Sequence, residues 1–233
     1  MAPDLMILVV IAFAALVAVA AYGSHLAAKR RSGELAALAA RLGWSFDPTK
    51  ETGSPRFESF SAFNRGHSRC AYNTLRGAIE VNGQRWPVQA GDYRYMTTSS
   101  NGKTTTTHTH TLSYAIIETS HLGTPELVIR REGLFDRMAG FMGFEDIDFE
   151  SAEFSERFHV KSSDKRFAYA VLDPRMIEFL LESNVPAIEF RRGLCCLLRG
   201  ERSWPAQQID ATIDWGRRFF ERWPRHVPSV LDQ

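Results

Sequence analysis

The stretch RCAYNTLRGAIEVNGQRWPVQAGDYRYMTTSSNGKTTTTHTHTLSYAIIET, residues 69–119, decides the fold. It holds two Asn-Gly pairs, Asn82-Gly83 and Asn101-Gly102. These are the strongest short hairpin signals, because a type I′ turn needs positive φ at both central positions. They predict a meander with strands near 69–81, 84–98 and 104–119. A fourth strand follows at 125–131, bounded by Gly123-Thr124-Pro125 and Gly133. Four antiparallel strands in sequence order are the economical sheet.

Downstream the pattern alternates. A helix is predicted over 134–141, then an acidic loop, then a strand at 157–161. Two helices come next. Ser162 or Ser163 can cap the first, and Asp173-Pro174 supplies a cap and a first-turn proline for the second, with Ile177, Leu180 and Leu181 facing inward. A second hairpin, 187–192 and 194–199, turns at Arg192-Gly193, and its apolar run 194–198 is expected to be buried on both faces. The last helix starts near Pro205 and sets Ile209, Ile213, Phe220 and Trp223 on one stripe. Upstream, Phe57, Phe60 and Phe63 recur every third residue, as in a helical turn pinned to a core.

The fold class is therefore α+β, an N-terminal transmembrane helix followed by an antiparallel β-meander domain with packed helices. The element order also fits a pleckstrin-homology-like barrel with helical insertions. No repeat or long linker divides the chain after the apolar start. The expected organisation is a transmembrane anchor at 1–23, a juxtamembrane helix at 24–43, a single domain at 44–224 and a tail at 225–233.

Residues 5–22, LMILVVIAFAALVAVAAY, contain no charge and as a helix would measure about 27 Å, enough to cross a hydrocarbon core. Asp4 precedes them, whereas Lys29, Arg30 and Arg31 follow. Positive flanks stay on the cytoplasmic side, so the expected topology is N-out and C-in. A cleaved signal peptide would carry its basic residues before the apolar run, although Ala18-Val19-Ala20 resembles a cleavage site. The segment ELAALAARL, 34–42, reads as a short separate helix with Ser32 as N-cap and Gly43 as its stop.

The 28 Lys plus Arg balance 27 Asp plus Glu, giving a net charge of +1 with 44% apolar residues. Such a chain folds, and it lacks the basic excess of a protein that grips nucleic acid through phosphates. Cys70, Cys195 and Cys196 are an odd number without CxxC spacing, so neither a disulfide framework nor a zinc knuckle follows. Cys195 and Cys196 would point to opposite faces of a strand. No GxSxG, Walker or dinucleotide-binding motif occurs.

Two regions could carry chemistry. The hairpin tip TTSSNGKTTTTHTHT is polar on both faces and should project into water. With Asn101-Gly102 as a two-residue turn, Tyr95 pairs with His108 and Tyr93 with His110, which puts two tyrosines and two imidazoles on one face. That face is either cross-strand packing, a pH-sensitive patch, or the start of a zinc or copper site that would need His67 or His121 as further ligands. The second region, 132–156, carries eight acidic residues against Arg137. Asp146, Asp148 and Glu150 alternate, so an extended backbone points all three carboxylates one way. This suits a divalent cation, a solvated loop, or a surface that attracts a basic partner.

The phrases LAARLGWSFDP (38–48), AYNTLRG (71–77), GDYRY (91–95) and IDFESAEFSERFHVKSSD (147–164), together with the N-terminal span, resemble an uncharacterised family of bacterial N-terminally membrane-anchored proteins. The resemblance implies a bacterial single-pass protein and assigns no site residues. The sequence thus points to an inner-membrane protein presenting a non-catalytic cytoplasmic binding or scaffold domain. No cofactor is called for, and the partners are the lipid bilayer and a protein partner or a second copy, with nucleic acid excluded. The candidate contact residues are Tyr93, Tyr95, His108, His110, Asp146, Asp148 and Glu150. The alternative is a membrane-bound metal-dependent hydrolase or metal sensor built from the histidine face and the acidic loop.

Overall fold

The computed structural model describes residues 3–131, 144, 146–225 and 227. Helix α1 runs unbroken over Pro3–Leu42. Alanine and leucine, the best helix formers, dominate its second half, and Gly23 and Gly33 meet no packing neighbour that would force a break. Ser32 therefore lies inside the helix rather than capping a new one, and the segment expected as a separate juxtamembrane helix continues the apolar helix. The two halves have different surroundings. Side chains such as Leu8, Phe13 and Leu16 are exposed, whereas Leu35, Leu38 and Ala39 are buried. Gly43 ends the helix with φ +69°, and the Trp44 amide donates back to the Ala39 carbonyl at 2.8 Å.

The chain then forms β1 (Ser45–Asp47), the short helix α2 (Pro55–Glu58) and a 3-10 turn (Ser61–Phe63). The meander is β2 (His67–Val81), β3 (Gln84–Ser100) and β4 (Thr105–Glu118). After it come β5 (Leu127–Arg131), α3 (Ala152–Arg157), β6 (Phe158–Ser162), α4 (Lys165–Val171), α5 (Pro174–Glu182), β7 (Ala187–Arg191), β8 (Leu194–Leu198) and α6 (Ala206–Glu221). The helix expected over 134–141 and most of the 225–233 tail lie outside the described residues.

Among the described residues the strands form one eight-stranded sheet in the order β1-β2-β3-β4-β8-β7-β5-β6. Neighbouring strands pair antiparallel throughout the described residues, as the α+β reading required. The sheet is nevertheless not a four-stranded run in chain order. β8 takes the place beside β4, with Tyr114 opposite Leu198 and Glu118 opposite Leu194, and β5 lies beyond β7. The reason is burial: Cys195, Cys196 and Leu197 are fully enclosed, so the apolar run 194–198 takes a central place. β1 and β6 end the strand order, so the sheet is open among the described residues rather than a closed pleckstrin-homology-like barrel.

Turn geometry explains the register. Asn82 and Gly83 have φ of +50° and +77°, and Arg192 and Gly193 +48° and +72°, so both hairpins close in two residues. Asn101-Gly102 does not. Only Gly102 has positive φ there, and the Asn101 side-chain oxygen accepts from the Lys103 and Thr104 amides at 3.1 and 2.9 Å. The Asx turn makes a four-residue loop between Ser100 and Thr105, which shifts the β3–β4 pairing by two residues.

The sheet is covered on both faces. One face packs on α6 through Ile209, Ile213, Phe219 and Phe220, and on Leu35, Leu38 and Ala39 of α1. Gly216 lets α6 approach closely, since a Cβ there would lie 2.7 Å from Ile117 Cδ1. The other face is closed by Phe57, Phe60 and Phe63 over Tyr93, Tyr114 and Leu112, which is why those phenylalanines recur every third residue. Cys195 faces the first core and Cys196 the second. Asp164, rather than Ser162 or Ser163, caps α4 by accepting from the Arg166 and Phe167 amides, while Asp173 caps α5 as expected.

Candidate functional site

Two features organise the surface: the joint that fixes α1 to the sheet, and a groove on α4 and α5. At the joint, Arg31 of α1 donates to Asp92 of β3 through Nε and Nη2 at 3.1 and 2.9 Å. The Asp92 carboxylate is 1% exposed and also accepts from Ser113 Oγ at 2.6 Å and Asn73 Nδ2 at 3.2 Å. Ser113 Oγ in turn accepts from the Trp204 amide at 2.9 Å. One buried carboxylate thus gathers α1, β2, β3, β4 and the approach to α6, with donors on both oxygens. Burial, and after it the Asp92 charge, push the neighbouring Tyr72 hydroxyl up to about 12. The apolar span is therefore an extension of a helix bolted to the domain core, not a tether.

The groove lies beside the acidic loop and has a volume of about 800 Å³. Its apolar lining is Phe149, Tyr169, Leu172, Ile177 and Leu181, and its charged lining is Glu150, Glu153, Glu178 and Glu182, with no basic residue among the described residues. Ile177 and Leu181, expected to face inward, are only half-buried because they form this wall. Tyr169 is 51% exposed, and outside α1 it is the exposed large hydrophobic side chain among the described residues. It is held in place: its hydroxyl donates to the Asp148 carbonyl at 3.1 Å, and its ring meets Phe149 at 5.2 Å. Ser155 Oγ pins the loop by accepting from the Phe149 amide and donating to the Phe149 carbonyl.

The alternation of Asp146, Asp148 and Glu150 does turn all three outward while Ile147 is buried. They do not converge. Asp146 faces Lys161 Nζ at 3.8 Å and His159 Nδ1 at 3.9 Å, whereas Glu150 lines the groove. Of the rim carboxylates, Glu153 pairs with Arg157 at 2.7 Å.

The tyrosine–histidine face forms with its partners shifted. Tyr95 lies opposite His110 and Thr97 opposite His108, while Tyr93 faces Leu112. Tyr95 and His110 stack with ring centroids 4.7 Å apart and planes 10° apart, and His110 Nε2 lies 2.8 Å from Thr97 Oγ1. Tyr93 belongs to the core, its hydroxyl donating to the Phe63 carbonyl at 3.0 Å and pushed up to about 12 by burial. His108 is exposed on the ribbon. His67 contacts Ser68 and Thr98, and His121 meets the Trp86 ring at 4.3 Å, so neither completes a ligand set with the ribbon histidines. Among the described residues no three His, Cys, Asp or Glu side chains group as a metal site would need.

Sequence reasoning missed Tyr169, Glu178 and Glu182 as site residues and Arg31–Asp92 as the joint. Asp92, a carboxylate in the middle of a strand pattern, was the available signal for the second. The first had none, since it arises where three separate segments meet.

The fold and these surfaces define a class: an α+β domain on an N-terminal apolar helix, presenting a groove on α4 and α5. The solved crystal structure of the mycobacterial trehalose monomycolate transport factor A, TtfA, has a similar fold, with a TM-score of 0.50 and 14% identity over 86% of this chain and 93% of that one. At that identity the likeness concerns the fold. No protein-family model and no curated protein matches the chain, so the family resemblance rests on the quoted phrases.

Proposed function

We propose that the protein is a single-pass, membrane-anchored binding module whose single domain, 44–224, lies on the cytoplasmic side of a bacterial inner membrane and docks a basic amphipathic segment of a protein partner. The groove carries this reading. An apolar floor whose charged lining among the described residues is four glutamates, one of them paired with Arg157, with an ordered exposed tyrosine, suits a helix with one apolar and one cationic face. The carboxylates would act on association rate and selectivity and the floor on dissociation. Lys29 and Arg30, next to the span, support the orientation. A protein named as a transport factor has this fold, which agrees with an accessory role in a membrane process.

The test is binding of a fluorescent helical peptide of leucine and lysine in heptad spacing to the full chain in lipid nanodiscs. The expected result is saturable binding that weakens with salt and falls at least about tenfold in the double variant Glu178→Lys/Glu182→Lys and in Tyr169→Ala, as for the loss of hot-spot contacts. Binding that is indifferent to both variants would overturn the proposal.

A further inference from the structure

We infer that the β3–β4 ribbon beyond the sheet, residues 97–109, lies against the headgroup layer of the membrane that α1 enters. The inference rests on reading α1 as a membrane span and adds a second contact to it.

The direction of α1 carries the argument. Trp44, just past the end of the helix, sits on Gly77, where an added Cβ would meet the indole at 2.2 Å. Arg31 sits on Asp92, whose β2 partner is Tyr72. Moving toward its N-terminus, α1 therefore travels along β2 from Gly77 to Tyr72, toward His67 and the ribbon. The apolar half of α1 and the ribbon leave the domain at the same end. From Arg31 to Tyr22, the edge of the apolar run, the helix rises about 13 Å. From Asp92 to Ser100, β3 rises about 27 Å, so the ribbon is long enough to reach the level of Tyr22 even where twist carries it aside.

The ribbon's chemistry fits that place. β2 accompanies β3 only as far as the His67–Met96 pair, and β8 accompanies β4 only from Tyr114 onward. Beyond them two strands stand without a covering layer among the described residues, a form that is marginal alone in water. From Tyr93 to Ile117 the chain has no carboxylate, but it has Arg94, Lys103 and two histidines among hydroxyl side chains. Hydroxyls and cations without acidic residues suit phosphate-bearing headgroups and avoid repulsion by an anionic leaflet. The acidic groove lies elsewhere, on α4 and α5.

The experiment uses the full chain in phosphatidylcholine vesicles containing a minority of phosphatidylglycerol. An environment-sensitive fluorophore is placed on one cysteine at a time, at Thr104→Cys, Gln84→Cys or Val17→Cys. The native cysteines are buried in the folded chain. Gln84 lies at the opposite end of β3 from the ribbon tip. The expected result is that a headgroup nitroxide lipid quenches Thr104 but not Gln84, while a chain nitroxide quenches Val17. A quenched Val17 with an unquenched Thr104 overturns the inference, leaves the span intact and reassigns the ribbon to a protein partner. An unquenched Val17 overturns the span and the inference together.

Discussion

Arg31 and Asp92, sixty-one residues apart in the chain, meet through two parallel hydrogen bonds of 3.1 and 2.9 Å. They tie the helix that carries the apolar span to the middle of the sheet. Replacing Arg31 by Ala strands a carboxylate that is 1% exposed. Breaking a buried pair in this way costs about 3–5 kcal/mol, and Arg31's own partial exposure puts the expected loss near the lower end. Arg31→Lys should recover only part of it, because a lysine cannot reproduce the bidentate geometry. Thermal unfolding followed by tryptophan fluorescence in nanodiscs reads both variants, and an Arg31→Ala chain as stable as the parent would show that the joint is decorative.

Gly77 tests the packing of the helix exit. A methyl group there would fall 2.2–2.3 Å from three atoms of the half-buried Trp44 ring, so the indole must shift from its place at the core edge. Gly77→Ala should therefore destabilise by about 1–3 kcal/mol, the range for overpacking. Gly77→Ala with Trp44→Leu should recover part of that loss. If Gly77→Ala alone is neutral in denaturant titration, the indole does not rest on Gly77.

Glu189 makes stability depend on pH. Its side chain is 3% exposed, faces Ser61 and Arg191, and stands near Glu126, with Cys196 opposite it on β8. Burial, the largest cause, raises its carboxyl to about 7. Between the ordinary carboxylate value and about 7 the folded chain holds a proton that the unfolded chain has released. The associated stability is complete at acid pH and is lost as pH rises through that window. The loss is on the order of 3 kcal/mol. Glu189→Gln removes the titration, so its stability relative to the parent should improve between pH 5 and pH 8. Denaturant titrations of both chains at the two pH values give that difference directly, and a pH-independent gap would refute it.

The residues that were legible in the sequence acted locally. Asn82-Gly83 and Arg192-Gly193 specify their own turns, and Asp173-Pro174 its own helix start, because each motif satisfies its backbone within a few residues. Asn101-Gly102 misled because the same dipeptide can close a longer loop when the asparagine side chain caps it, and Tyr93 and Tyr95 consequently gained different partners. The place of β8 between β4 and β7 was not legible, since it depends on competition among strands for the most buried position. The groove was half legible: the acidic alternation gave Glu150, but Tyr169 and Glu178 join it only through tertiary packing.

The proposed orientation, N-out and C-in, is open to a direct test. Lys29, Arg30 and Arg31 form the positive flank in the sequence, yet in the folded chain Arg31 is neutralised by Asp92 and Arg30 lies 3.1 Å from Glu34. Insertion is decided while the chain is emerging, before Asp92 has folded against the helix, so all three cations count at that moment. A C-terminal reporter active only in the cytoplasm should therefore be on and one active only after export off. Replacing Lys29 and Arg30 by Gln should let a fraction invert while leaving the stability of correctly inserted molecules unchanged. Arg31→Gln should weaken both orientation and stability, because under the proposed topology that residue belongs to the positive flank as well as to the Asp92 joint. An exported reporter on the parent chain would place the domain outside the cytoplasm and move the search for a groove partner to the envelope.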